Sequence, residues 1–175
     1  SRAKSGLAGQ LLRSASFSSL RTEQQLGYEV SAGPRRMEKR GGNIFLVQSP
    51  VASALAVEAA TAEFMQQYID AWPALSDAEF NQQKSGLINR LTESDKNLGE
   101  RTQRYWQDIY DDHYTLDSRE QIAAEVGRLT KADMRAFFED LQQRLEQRSV
   151  LIYSKGKFDD IPATGKLLTT ATALK

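Results

Sequence analysis

Cysteine is absent from this 175-residue chain, and histidine occurs once, as His113. The first absence excludes a disulfide scaffold, a thiol nucleophile and any thiolate metal site. The second excludes, within this chain, a zinc centre built on two or three imidazoles. An excess of charge is missing too: 23 Lys+Arg balance 23 Asp+Glu. Nucleic-acid binders usually carry a basic surplus, so that class is set aside. No apolar run approaches the ~18 residues of a membrane-spanning helix, so no membrane segment is expected. No basic segment followed by an apolar one opens the chain, so no signal peptide is legible. The H-x-x-E-H motif is absent in either direction, as are G-x-S-x-G, G-x-x-x-x-G-K-[ST] and G-x-G-x-x-G.

What remains is ordinary globular composition, with 40% hydrophobic and 26% charged residues. The length is a prior for one domain with a real core. Leu7, Leu11, Leu12 and Ala15 are spaced for one helical face, so Ser1 to Ala15 reads as helix with nothing before it to serve as a cap. Phe17 to Leu26 reads as a second short helix capped by Ser18 or Ser19, with Gly27 ending it in left-handed geometry. Tyr28 to Ala32 alternates with strand period. Pro34 to Gly42 is rich in breakers and reads as a hairpin loop. Ile44-Phe45-Leu46-Val47 reads as a strand covered on both faces.

Helices then dominate. Pro50 to Trp72 carries apolar residues on two sides, with Leu55, Ala62 and Ile69 on one and Val57, Phe64 and Tyr68 on the other, which predicts burial on both. Ser76 with Glu79 is a capping box ahead of Phe80, Leu87, Ile88 and Leu91. Leu98 to Tyr110 carries Leu98, Thr102, Tyr105 and Ile109 at helical spacing. A shorter helix spans Ser118 to Val126. Thr130 with Asp133 opens a last helix, striped by Met134, Phe137, Phe138, Leu141 and Leu145. Val150-Leu151-Ile152-Tyr153 reads as a closing strand. The expectation is an α+β fold, helices layered on one small antiparallel sheet of three strands. One domain over 1–157 and a flexible tail over 158–175 are expected. A leading helix normally packs on a strand before it, so the chain reads as an N-terminally truncated domain that has lost its opening strands.

Chemistry-bearing candidates are few. His113, beside Asp111 and Asp112, reads as a solvated helix end, because three adjacent loop residues cannot all turn inward on a metal. The basic run Arg35, Arg36, Lys39 and Arg40 is either an anion contact or a soluble loop tip. Tyr105, Trp106 and Tyr110 read as an aromatic core more readily than as a stacking surface. Arg21 and Tyr28 are different. They lie seven residues apart across Gly27, which allows both side chains to converge above the sheet. An arginine fork and a neutral phenol donor suit a peptide carbonyl or a developing oxyanion. A surface arginine and a structural tyrosine remain the plainer alternative.

The stretch Leu20-Arg21-Thr22-x-x-Gln25-Leu26-Gly27-Tyr28, then Val30 and Gly33-Pro34, resembles the signature in the last domain of the pitrilysin and insulin-degrading-enzyme family of zinc metallopeptidases. Gln48-Ser49, Tyr105-Trp106, Leu129-Thr130-x-x-Asp133 and Val150-Leu151-Ile152 follow in register, so the similarity covers roughly Ala3 to Lys157. The resemblance implies four related α/β domains forming two bowls around a chamber, with zinc held by the first domain. It implies that Arg21 and Tyr28 grip the peptide substrate opposite that zinc. This chain would then hold no catalytic residue, metal or cofactor of its own. Its partners would be peptide and the other domains of the parent peptidase, in a periplasmic setting, with the cytoplasm as the alternative. Alternatives are a structural subunit like the core proteins of the respiratory bc1 complex, or a stand-alone peptide-binding module. An uncovered sheet edge and the Ala3–Ala15 helix also make a homodimer of the fragment an expectation.

Overall fold

The computed structural model describes residues 1–37, 40–147 and 149–160. Helix α1 (Arg2–Ser16) runs without a break into a π-helical turn over Phe17–Glu23. An antiparallel hairpin follows, β1 (Glu29–Met37) and β2 (Arg40–Gln48). Then come α2 (Ala54–Ala71), a 3-10 turn (Trp72–Ala74), α3 (Asp77–Thr92), α4 (Leu98–Tyr110), α5 (Ser118–Arg128) and α6 (Lys131–Gln147). The architecture is α+β, as the alternation of patterns predicts.

α1 is the centre of the molecule. It packs on both strands and also meets α3, α5 and α6. Ala3, Leu7, Ala8, Leu11 and Leu12 on it are buried. The contact with the hairpin is backbone-close: a Cβ on Gly9 would lie 2.3 Å from Pro34 Cδ and 2.7 Å from Pro34 N. One expectation changes here. The helix does have a cap, since the Ser1 hydroxyl accepts from Lys4 N at 3.4 Å. Its apolar face is turned into the core, and Arg2, Arg13 and Ser14 are its exposed residues. Its hydrophobic face packs on β1 and β2, which follow it in sequence.

The hairpin is tighter than the breaker-rich sequence suggests. Ladder pairing continues through Pro34↔Asn43 and Gly33↔Ile44 to Met37↔Arg40. Proline is tolerated because a two-stranded sheet has only edge strands. One face is covered: Val30 and Ala32 are buried, and their partners Val47 and Phe45 pack against the same core. The other face is open, with Ile44 and Leu46 exposed, so burial on both faces is not found. Val150–Tyr153 forms no ladder, and the sheet has two strands among the described residues rather than three. β-propensity does not make a strand by itself; a partner must offer its N–H and C=O groups. The expected tail lies mostly at 161–175, outside the described residues. Within 158–160, Asp160 accepts a 2.5 Å hydrogen bond from the Ser53 hydroxyl.

Aromatic side chains hold the helical layer together. Phe138 of α6 is fully buried, with ring centroids 5.1 Å from Trp72 and 5.3 Å from Tyr68. Trp72 Nε1 donates to Lys131 O at 3.2 Å, tying the end of α2 to the start of α6. Burial pushes the Tyr68 hydroxyl above its ordinary pKa range. The two-sided burial expected of α2 does not occur. Phe64, Met65 and Ile69 face the core, while Leu55 and Ala62 are exposed. Ser53, not Pro50, opens α2, its hydroxyl accepting from Ala56 N at 3.2 Å. The Ser76–Glu79 capping box forms as the sequence predicts.

Candidate functional site

The segment from Phe17 to Tyr28 is a built turn. Instead of a break and a new cap at Ser18 or Ser19, the α1 helix widens into a π-turn, a local form frequent at functional sites. Gln24 N donates to Ser19 O at 3.0 Å, five residues back, and Leu26 N donates to Leu20 O at 3.0 Å, six back. Gln24 Nε2 adds a 3.2 Å bond to the Ser19 hydroxyl. Leu20 is fully buried and anchors the turn.

The left-handed residue is Gln25, with φ 51°, and not Gly27. A non-glycine residue with positive φ is uncommon and is held only where its surroundings fix it. Gly27 is required for another reason. A Cβ there would lie 2.0 Å from Gln48 O and 2.8 Å from Gln48 C. The chain therefore enters β1 pressed against the end of β2, where Glu29 pairs with Gln48.

Both predicted site residues project from this turn. Tyr28 is 81% exposed. Arg21 is exposed, and its Cζ lies 4.7 Å from the centroid of the Phe17 ring. Among the described residues, no hydrogen bond or ion pair joins Arg21 to Tyr28, and neither is held by a carboxylate. Phe17 is the member of this site that sequence reasoning missed. Its signal was the four-residue spacing to Arg21, which stacks side chains on one helical face. A cation over a ring face is attracted by the ring quadrupole, so Phe17 fixes where the guanidinium sits.

Other candidates fall elsewhere. Asp117 accepts from the Thr115 hydroxyl at 2.5 Å and pairs with His113 Nε2 at 2.9 Å. These bonds, Thr115 first and then His113 and Gln121, hold its carboxyl below the ordinary range. His113 is thus a turn residue between α4 and α5. Arg35 is exposed, while Glu38 and Lys39 lie outside the described residues. The aromatic-core expectation for α4 fails: Trp106 is 64% and Tyr110 70% exposed. An open cavity of about 610 Å³ is bordered by Arg2, His113, Gln121, Glu125 and Arg128, and its lining includes neither Arg21 nor Tyr28. No three His, Cys, Asp or Glu side chains gather to hold a metal among the described residues, so the described residues do not fit a resident zinc.

Comparison with known proteins shows the family. Residues 7–106 match the family of PQQ synthase PqqF-like proteins, C-terminal lobe domain 4. The chain belongs to the pitrilysin family, as its C-terminal domain. Pitrilysin itself, in its crystal structure, superimposes with a TM-score of 0.74 at 29% identity, covering 80% of this chain and 15% of the pitrilysin chain. A putative zinc protease of Schizosaccharomyces pombe, mug138, is 33% identical over 75% of this chain and 14% of its own length. Protease 3 of Salmonella typhi is 29% identical over the whole chain and 19% of its own length. The chain therefore spans less than a fifth of these pitrilysin-family relatives. Phe17, Arg21 and Tyr28 all fall within the matched residues.

Proposed function

We propose that this chain serves as the last domain of a larger pitrilysin-family zinc endopeptidase, where it closes the chamber and positions the peptide substrate. The observation that carries this reading is the pair of exposed donors, Arg21 and Tyr28, on a turn fixed by Gln25, Gly27 and the ring of Phe17. A fork of N–H donors and a neutral phenol, both turned to solvent, form a preorganised grip for a peptide carbonyl. The zinc and its activated water belong, in this reading, to another domain. The open sheet face at Ile44 and Leu46 and the unpaired Val150–Tyr153 fit a sheet completed by strands from outside this chain. Residues 1–157 act as one domain in this proposal, and its setting is periplasmic.

Kinetics of Tyr28→Phe in the full-length polypeptide test this. Removing one donor to a developing oxyanion lowers kcat by on the order of 10²–10³-fold. Zinc content and melting temperature should stay at wild-type values. Full turnover in Tyr28→Phe would refute the substrate-positioning role.

A further inference from the structure

Arg21 and Tyr28 stand at the two ends of one closed turn. Arg21 follows Leu20, which is fully buried, and Tyr28 follows Gly27, where a Cβ would lie 2.0 Å from Gln48 O. The two anchored ends are tied to each other, since Leu26 N donates to Leu20 O at 3.0 Å. Leu26 also packs against the core that holds Leu20. Helices often end in this way: one left-handed residue, an N–H reaching back to a carbonyl of the last turn, and an apolar contact beside that bond. Here the reach is six residues, one more than in the usual form, because the turn is π-helical. Gln24 is right-handed, with φ −85° and ψ −14°, and Gln25 is left-handed, with φ 51°. Glycine is the usual occupant of such a position, because a Cβ opposes it. Among the described residues the exposed Gln25 side chain makes no hydrogen bond that would favour the left-handed form. The anchors on either side impose it.

We infer that Gln25 is a positioning residue for the peptide grip, acting through its left-handed backbone and not through its side chain, and that it sets the direction of Tyr28 relative to Arg21; the inference rests on the proposal that these two residues hold a peptide substrate. Rotation about φ of one residue carries everything beyond it. A turn to the ordinary negative range at Gln25 would break the Leu26–Leu20 bond or lift Gly27 off the Gln48 carbonyl, and Tyr28 would move with it. Two donors that meet one peptide must be fixed before the peptide arrives, or ordering them lowers the gain on binding. A residue held against its own backbone preference, between the two donors of a site, is where that fixing is done.

Steady-state kinetics of the full-length polypeptide on a fluorogenic peptide test this, with zinc content and urea midpoint measured for each variant. Glycine and asparagine accept the left-handed backbone, so Gln25→Gly and Gln25→Asn should keep wild-type kcat and KM. A β-branched residue rejects it. Gln25→Val should therefore lower kcat in folded, zinc-loaded protein, by up to about 10²-fold, the loss that a misplacement of about 1 Å can bring. Gln25→Thr is the second such variant, should Gln25→Val fail to fold. The loss should vanish in a Tyr28→Phe background, where the donor being aimed is gone. A fall in kcat for Gln25→Gly or Gln25→Asn would give the role to the side chain and overturn the inference. Wild-type kcat in the β-branched variants, or an equal loss with and without the Tyr28 hydroxyl, overturns it too. Tyr28→Phe alone separates the two claims. An impaired Tyr28→Phe beside unimpaired β-branched variants sinks the positioning role and leaves the grip. Full turnover in Tyr28→Phe sinks the grip and the positioning role together.

Discussion

Arg21 and Tyr28 are expected to respond differently to substitution. In the proposed grip, Tyr28 gives one donor, matched to charge that develops in the transition state, so its loss should fall on kcat. Arg21 can hold a carbonyl in the ground state as well, so Arg21→Ala should raise KM along with any fall in kcat. Lysine should rescue poorly, because it lacks the planar fork. Phe17 acts through Arg21. Its ring lies 4.7 Å from the guanidinium carbon at a partly exposed site, where such contacts contribute about 0.5–1 kcal/mol. A double-mutant cycle of Phe17→Leu with Arg21→Ala, measured on kcat/KM of the full-length polypeptide, should show coupling of that size. Phe17→Trp should keep it. Strictly additive effects would show that the ring does not position the arginine. The placing of Arg21 and Tyr28 on one exposed turn was legible because they lie only seven residues apart across Gly27. Phe17 was not, because helical spacing brings many pairs together and only the coordinates say which pair touches.

At the scale of elements, the turn into β1 and the helix caps set local stability. Gly27→Ala forces a Cβ into the Gln48 carbonyl 2.0 Å away, where backbone must move. Overpacking of this kind costs about 1–3 kcal/mol or more. Gly33→Ala meets nothing within 4 Å and serves as the control. Urea unfolding should separate the two, and equal midpoints would contradict the close approach. The caps carry a pH signature. Hydrogen bonds from the Ser76 side chain and backbone hold the Glu79 carboxyl low, and those from Thr130 hold Asp133 low. Their folded pKa values lie below the unfolded ones, so each favours the folded state above the unfolded carboxylate pKa of about 4. That contribution is lost as pH falls through the folded values. Ser76→Ala and Thr130→Ala should each cost about 1 kcal/mol at neutral pH. Both should flatten the loss of stability on acidification, read from urea midpoints between neutral and acid pH. An unchanged acid slope would rule out the caps as its source. The Ser76 box was visible in four letters of sequence because all its partners are local.

For the molecule as a whole, the core and the exposed surface should separate cleanly. Phe138 touches Tyr68, Trp72 and Phe137 and is fully buried, so Phe138→Ala should cost about 3–5 kcal/mol. Trp106→Gln, in the same chain, should shift stability by no more than about 0.5 kcal/mol, because its ring is 64% exposed. Denaturant midpoints of the two variants decide, and a large loss in Trp106→Gln would place its ring in a core. The purified chain should also bind no stoichiometric zinc and cleave no fluorogenic peptide. Metal-dependent turnover by this chain alone would overturn the assignment of chemistry to another domain.

Local order explains which features could be read without coordinates. The helices from Ser76 onward, the two caps, the alternation of Val30 and Ala32 and the Arg21–Tyr28 motif depend on neighbours a few residues apart. Propensity, period and spacing record such contacts directly. Which faces are buried depends on what meets them from far along the chain. Sequence therefore assigned α4 its apolar stripe but not its direction, because Arg104 and Asp108 are held inward by Asp95 and by Glu120 and Ser118 of α5 while Trp106 and Tyr110 stay exposed. It assigned Val150–Tyr153 the character of a strand but not a partner. It assigned Gly27 a special role but the wrong reason, since the carbonyl of Gln48 that presses on it lies 21 residues away in sequence and is brought there only by the hairpin.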